Sequence, residues 1–592
     1  MRHPWQSAEW QLIFRVLPRA QRGLAALWWA LVIVRSLLPA ALVIATGALI
    51  GAVSDGHRPG ASLALVALTS IGILVLSPVH NSVSANLGAH TGADLHRRLM
   101  RATAAPAGIA HLEEPSLADD FALAREFDVG ITAPPIRVCM PFVANGLVEV
   151  GSGLATSVVL AGFGWWAPPV LIAGWLATHR LLRESTVWRS WRSEDVVRAQ
   201  RQADYAYRMA VDVPAAKELR LFGLSGWTVG RFGRYRRELL ELSLQALRLR
   251  ERSLVWAALA ALAANGLVIG FLAADALAGR LGTGDLVVYA GAVTGAAVLG
   301  IADFDWWLDT AARPAAVVAA LEERMHGFGQ LPRGDAAADG LPRREIRLRD
   351  VRFGYPGAPD VLAGVDLTIP AGTSLAIVGQ NGAGKTTLAK LLCRLYDPVA
   401  GAIEIDGTDL RSLDLAGWRS RVTTVFQDFV RYELPLRDNV APGGGSDADI
   451  EWALRQAGAT GLATLPTVLS KSYAGGTELS GGQWQRVALA RAMHAVRQGA
   501  GLVILDEPTA QLDVRGEAEI FRRVLTATAG VTTILVSHRF STVRQADRIC
   551  VLGHGRVIEL GSHDELMAAG GRYATMFTLQ AARFATPEGA AP

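Results

Sequence analysis

Hydrophobic positions fall into two textures along the chain. Up to about residue 310 they form long runs, at about 24–53, 63–83, 138–163, 165–182, 254–277 and 286–307. Each is near the ~20 residues a helix needs to cross a bilayer. One such run would suit a buried core helix; six in one half of a chain predict six membrane spans. The first run exceeds the ~7–15-residue apolar stretch of a secretory signal, and no small-residue cleavage site follows it promptly, so it is read as a retained span. From Glu345 the runs shorten, and β-branched stretches alternate with helical ones, as an α/β domain requires. The expected organisation is a cytoplasmic N-terminal arm over 1–23 and a helical membrane domain over 24–323. A Gly/Pro/Asp-rich linker over 324–344, an α/β domain over 345–580 and a disordered tail over 581–592 follow.

Loop lengths and arginines orient the spans. Links after the first, third and fifth runs are short and hold only Arg58 and Arg280. Those after the second and fourth, about 84–137 and 183–253, are long; the second carries Arg183, Arg189, Arg192, Arg198, Arg201, Arg208, Arg231, Arg234, Arg236 and Arg237. Arg2, Arg15, Arg19 and Arg22 lie in the N-terminal arm. The positive-inside rule therefore places the arm, both long links and everything after the sixth span in the cytoplasm, in a cell membrane. The long links read as helices that continue the spans, broken near Pro115 and Pro214, where short transverse helices or plain loops are both compatible with the pattern.

Composition narrows the class. Hydrophobic residues make up 51% and charged residues 19%. That excludes disordered and collagen-like chains and lies between a soluble and an all-membrane protein. A net charge of +4 over 592 residues is no nucleic-acid footprint. Three cysteines, Cys139, Cys393 and Cys550, make no disulfide framework. The strong Arg, Ala and Gly usage suggests a GC-rich, bacterial source. Lysine occurs only at Lys217, Lys385, Lys390 and Lys471, so the setting of Lys385 is informative.

The strand-like Ser374–Val378 leads into Gly379, Gln380, Asn381, Gly382, Ala383, Gly384, Lys385, Thr386 and Thr387, followed by a helical LAKLLCRLY. This is the phosphate-binding loop in its strand–loop–helix setting. Glycines let backbone N–H groups turn toward a phosphate chain, and the helix start adds unpaired donors. Lys385 can reach β- and γ-phosphates, and Thr386 can ligate Mg²⁺. A second strand, Leu502–Leu505, ends in Asp506 and Glu507. Asp506 can hold Mg²⁺ through water, while Glu507 can act as general base toward the attacking water. Solvated strand-end acids are the bland alternative, which the upstream phosphate loop disfavours.

Leu479, Ser480, Gly481, Gly482, Gln483, Trp484, Gln485 and Arg486 precede that strand and resemble the signature motif of ABC ATPases. The resemblance extends to Tyr355 in RFGYPG, similar to the aromatic that stacks on adenine. Gln427 in VFQDF is similar to the Q-loop residue that contacts Mg²⁺ or water. Asp513 in AQLD resembles the D-loop aspartate, and His538 in LVSHR the switch histidine near the γ-phosphate. With six spans ahead of the domain, the whole chain resembles an exporter-type ABC half-transporter. The implied fold is a six-helix α-helical membrane domain of the ABC exporter type, plus an α/β P-loop NTPase domain with a helical subdomain. LEEPSLADD and KELRLFGL resemble its two coupling-helix regions. Two features depart from the common pattern: Ala510-Gln-Leu-Asp513 replaces Ser-Ala-Leu-Asp, and Gly-Gly precedes Glu-Leu-Ser, as in a subgroup that includes natural-product exporters.

The resemblance implies ATP and Mg²⁺ as ligands, sandwiched between the phosphate loop of one chain and Ser480, Gly481, Gly482 and Gln483 of another. Glu507, His538 and Gln427 would be catalytic, and Thr386, Gln427 and Asp506 would hold metal. No motif is degraded, so a homodimer is favoured over pairing with a similar half-transporter. The expected function is alternating-access export of a small amphipathic molecule or finished peptide. Lipid flipping, import through an exporter-like fold as in metal–chelator uptake, and an ATP-gated regulator without cargo remain alternatives; a DNA-repair ABC ATPase is excluded by the spans. Only ~23 residues precede the first span, too few for a peptidase domain, so leader-cleaving export is not expected. Ionisable residues inside spans are candidate cargo contacts because each costs ~2.5–3.5 kcal/mol at mid-bilayer: Arg35, Glu149, Asp303, Asp305 and Asp309. Asp305 and Asp309 share a helix face and could favour a cationic or amphipathic cargo, but the end of the sixth span with Trp306 and Trp307 as an interfacial belt is the preferred reading. Arg35 can pair with Glu149 or with an acid of a partner chain, and the sequence does not choose between them.

Overall fold

A computed structural model describes residues 11–114, 117, 121, 134–184, 194–248, 250–301, 304–325, 330–507 and 514–584. Pro115, Asp303, Ala510 and Asp513, with Arg2, Arg189 and Arg192, lie outside the described residues. The chain forms two compact units, Met1–Thr103 with Pro115–Arg324, and Ala104–Glu114 with Met325–Pro592.

In the first unit, the apolar runs become long helices. Among the described residues five are long and apolar enough to cross a membrane: Arg22–Ser54, Gly60–Ala104, Ile136–Gly162, Val255–Leu277 and Thr283–Gly300. Gly60–Ala104 has 45 residues, about 68 Å at 1.5 Å per residue, more than twice a ~30 Å hydrocarbon core. It therefore carries the second span on into the long link. In the other long link, Glu194–Val211, Val213–Leu221 and Ser225–Arg248 are helical, and the break at Pro214 opens the short middle helix. Pro39, Pro78, Pro141 and Pro314 sit inside helices, which membrane helices tolerate.

Two of the six runs depart from a single continuous apolar helix. The fourth run forms a helix, Ala167–Glu184, whose polar end with Arg180, Arg183 and Glu184 keeps it from standing with the other five. Its Leu171 and Trp175 pack on Ala264, Val268, Val293 and Leu299. The sixth run is not one continuous helix: Thr283–Ala296 breaks at Ala297, and the helical segments Val298–Ile301 and Phe304–Met325 follow. GAVTGAAVLG supplies the reason, since glycines weaken helix interiors. The N-terminal arm is helical in part from residue 11. Leu12–Val16 and Leu17–Ala20 are helical, and Leu12 and Leu17 are buried with Trp28, Leu95, Met140 and Val318.

Small residues let two of these helices touch. A Cβ on Gly47 would lie 2.1 Å from Val288 Cγ2, and one on Gly284 would lie 2.7 Å from the Gly47 carbonyl oxygen. Gly47 and Gly51 are spaced as in the small-xxx-small contacts that draw membrane helices together.

The second unit carries two sheets. β1 (Glu345–Gly354), β2 (Asp360–Pro370), β4 (Ala400–Ile405) and β5 (Thr408–Asp409) form an antiparallel sheet in the order β2-β1-β4-β5. β3 (Ser374–Val378), β6 (Val422–Val425), β7 (Leu502–Asp506), β8 (Thr532–Val536), β9 (Arg548–Gly553) and β10 (Arg556–Gly561) form the other, ordered β10-β9-β3-β8-β7-β6. Strand alternation splits its side chains between two cores. Leu375, Ile377, Leu502, Ile504 and Ile534 face the antiparallel sheet, while Ala376, Val378, Val503, Leu505 and Leu535 face the helices Asp447–Gln456 and Gly481–Arg497.

The expected linker is partly structure. Ala336 bridges to Leu413, Ala338 joins the core, and the fully buried Arg394 donates to Pro332 O at 2.6 Å. The last helix continues to Phe584, past the expected tail boundary at 581.

Candidate functional site

One edge of the six-stranded sheet gathers the chemistry. β3, β8, β7 and β6 are adjacent and parallel, with Ile377 and Asp506 both level with Val536, and Val425 level with Leu505. The segments leaving their carboxyl ends therefore emerge side by side, where open α/β sheets place ligands. They are the phosphate loop, the turn at Gln427, the Asp506–Glu507 pair and the turn at His538.

The loop is held by backbone geometry. Gly382 and Gly384 have φ of 79° and 98°, a region that only glycine enters freely. Gly384 caps the helix Lys385–Leu392, and a Cβ there would lie 2.5 Å from Leu362 Cδ2. Lys385 is buried, and its Nζ donates to the carbonyls of Gly379 and Gln380 at 3.0 Å each. Burial lowers its ammonium pKa, while Glu507 and Asp506 oppose that.

Thr386 and Asp506 meet directly: Thr386 Oγ1 donates to Asp506 Oδ2 at 2.7 Å. Asp506 is 2% exposed, and burial raises its carboxyl pKa, with the Thr386 bond working the other way and Glu507 adding to the rise. Two hard oxygen donors side by side next to a phosphate loop fit Mg²⁺. Glu507 has a φ of 51°, a strained value for a side-chain-bearing residue and of the kind that clusters at functional sites. Its Oε1 lies 3.1 Å from His538 Nδ1, and its carbonyl accepts from Gln485 Nε2 at 3.2 Å. Gln427 is exposed on its turn after β6.

Tyr355 lies on the chain leaving β1, its hydroxyl 3.4 Å from Thr387 Oγ1 and its ring edge-on to Tyr396, centroids 5.6 Å apart. Ser480 and Gln483 cap the helix Gly481–Arg497 reciprocally, Ser480 N donating to Gln483 Oε1 at 2.8 Å and Gln483 N to Ser480 Oγ at 3.3 Å. The helix start thereby presents the N–H groups of Gly481 and Gly482, which suits an anion.

Sequence reasoning missed one group. Glu113, in the segment Ala104–Glu114, accepts from Lys390 Nζ at 3.0 Å and from the Tyr396 hydroxyl. Lys390 Nζ also lies 5.3 Å from the Tyr355 ring centroid. Burial works to raise the Glu113 carboxyl pKa, but the bonds from Tyr396 and Lys390 outweigh it and hold the pKa down. The rarity of lysine was the one available signal.

Comparisons with known proteins agree with this geometry. Residues 362–510 match the model of the ABC transporter family. The chain is 39% identical over 241 residues to the ABC transporter ATP-binding protein YknV of Bacillus subtilis, covering 40% of this chain and 39% of that one. It is 40% identical over 247 residues to an ATP-dependent lipid A-core flippase of Thiobacillus denitrificans, 40% of this chain and 41% of that one. The match thus spans about two fifths of these relatives' length. A bacterial Atm1-family ABC exporter with ATP bound superposes with a TM-score of 0.74 at 23% identity, covering 96% of this chain and 99% of that one. Residues 362–510 thus match the ABC transporter model, and the chain as a whole has the fold of an ABC exporter, its membrane-length helices and sheet-bearing C-terminal unit in one polypeptide.

Proposed function

We propose that the protein is an ATP-driven primary transporter. The observation that carries this is the convergence of Lys385, the Thr386–Asp506 pair and the Glu507–His538 pair on one sheet edge, in a chain whose other unit is built of membrane-length helices. The loop amides and Lys385 hold the ATP phosphates, and Tyr355 offers its ring to the base. Thr386, Asp506 and Gln427 would hold Mg²⁺, which when bound would offset charge on the β- and γ-phosphates. Glu507 takes the proton of the attacking water, with His538 positioning it. Ser480, Gly481, Gly482 and Gln483 close the site from a second copy, so the working unit is a homodimer with two sites, or a pair with a similar half-transporter.

ATP favours the closed pair of domains through contacts made only there, and hydrolysis resets it. The N-terminus and ATPase domain are cytoplasmic; a reporter fused after Arg58 reads as external and one after Arg201 as internal, and the reverse result overturns the topology. The cargo is a small amphipathic molecule or peptide moved outward. Lipid flipping is the second reading, favoured by the match to a protein named as a flippase. The test is ATP turnover and flux in liposomes. Cargo-stimulated hydrolysis with net movement supports transport; hydrolysis without movement of any solute or lipid leaves a membrane regulator; absence of hydrolysis overturns the proposal.

A further inference from the structure

We propose that Arg35, oriented by Ser77, His80 and Asn145, is the centre of a binding site for one anionic group, a carboxylate or phosphate, among the membrane helices. The site deepens the transporter reading, on which its purpose rests, by naming a cargo chemistry. Arg35 lies near the middle of the first apolar run. Its Nη1 donates to His80 Nδ1 at 2.8 Å and to Asn145 Oδ1 at 3.0 Å, and its Nη2 donates to Ser77 Oγ at 3.1 Å. Every one of these partners is neutral. Among the described residues Arg35 forms no ion pair, and the candidate acid, Glu149, is exposed and pairs with nothing.

A guanidinium only donates, so His80 Nδ1 must accept, and the ring proton sits on Nε2. His80 is fully buried, and that Nε2 has no partner. Asn145 gives its amide hydrogens elsewhere, to Asn81 Oδ1 at 3.2 Å, which fixes its oxygen on Arg35. Among the described residues Arg35 therefore keeps its Nε–H and a second Nη2–H without a bond, on a side chain that is only part-buried and so accessible, while His80 Nε2–H points to the far side of the ring, away from Arg35. Arg35 carries one positive charge and has neutral partners only.

Arg98 in the same unit shows the satisfied form, its Nε and Nη2 donating to the two carboxylate oxygens of Glu322 at 2.9 and 2.6 Å. Arg35 has the same fork, and carboxylates and phosphates are what a guanidinium fork fits. One turn from Asn145, on the same helix face, the half-exposed Phe142 stacks on Trp307 with centroids 3.9 Å apart. An acid head with an apolar tail matches both features. The acids that could favour a cation are already engaged: Asp305 lies 3.2 Å from His179 Nε2, and Asp309 pairs with Arg313 at 3.2 Å.

The test uses the full chain in phosphatidylcholine nanodiscs. Dodecyl phosphate is the anionic probe, dodecyltrimethylammonium the matched cation, and discs containing phosphatidylglycerol the lipid source. Bound probe is measured by equilibrium dialysis and retained lipid by native mass spectrometry. The parent is expected to bind the anion and not the cation; Arg35→Gln loses about tenfold or more, and Arg35→Lys keeps part of the affinity. Melting temperature and gel-filtration profile verify that both variants fold. Retention of phosphatidylglycerol alone assigns the head group to the bilayer, and uptake of dodecyl phosphate alone assigns it to a soluble cargo; either supports the site. Equal uptake of anion and cation, no anion binding by the parent, or undiminished binding by folded Arg35→Gln overturns it. None of these readouts needs ATP turnover, so a chain that binds anion without hydrolysing ATP sinks the transporter reading and spares the site.

Discussion

The two units handle buried charge in opposite ways. In the ATPase domain Lys385, Asp506 and Glu507 sit close enough to compensate one another, and Thr386 and His538 take up the remaining bonds. In the membrane unit Arg35 is surrounded by neutral Ser77, His80 and Asn145. A compensated cluster is a stable framework onto which substrate and metal are added. An uncompensated charge in an apolar bundle is an unfinished interaction. The difference indicates where chemistry is built into the fold and where it waits for a partner.

The largest effect that would break this contrast is at Glu507. Glu507→Gln is expected to retain ATP binding and lose ~10²–10⁴-fold in turnover, measured as phosphate release at saturating ATP. A loss of only a few-fold removes Glu507 as the base. Lys385→Ala follows: it removes the cation that the loop carbonyls hold, and ATP affinity is expected to fall about tenfold or more in equilibrium binding. Unchanged affinity contradicts its role. In the other unit, Gly47→Leu pushes a side chain into Val288 and the Gly284 carbonyl, and overpacking of this kind costs ~1–3 kcal/mol. A lower melting temperature in detergent is expected, and an unchanged one denies the close contact.

The smallest effect concerns pH. Burial raises the Asp506 carboxyl pKa, so the folded state keeps a proton that the unfolded chain has released. That group costs stability as pH rises through the carboxylate range, and nothing when both states are protonated. Metal-free Asp506→Asn is therefore expected to melt above the parent at about pH 7, with the gap closing toward about pH 4. A gap that widens on acidification would reverse the sign.

Legibility in the sequence also differs between the units. At the ATP site the positions are tied to backbone features that sequence displays: a Gly-rich turn after a strand, a carboxylate at a strand end, a Ser before a helix with Gln three residues later. The segments around Lys385, Asp506, Glu507, Gln427 and His538 were therefore identifiable one by one. Glu113 was not, because its partners Lys390 and Tyr396 are more than 270 residues away and carry no local pattern. Nor was the break at Ala297, since an apolar run looks the same whether one helix or two pass through it.

Residue order by itself determined the membrane-length helices, the α/β domain and the identity of the phosphate-loop chemistry, because periodicity, strand–loop–helix order and helix capping are all properties of neighbours along the chain. Only the tertiary structure decided that Thr386 meets Asp506, that Glu507 meets His538, and that Arg35 faces neutral side chains instead of Glu149. Those are contacts between distant segments, set by the order of parallel strands and by how closely glycine-bearing helices approach, and no local pattern encodes either.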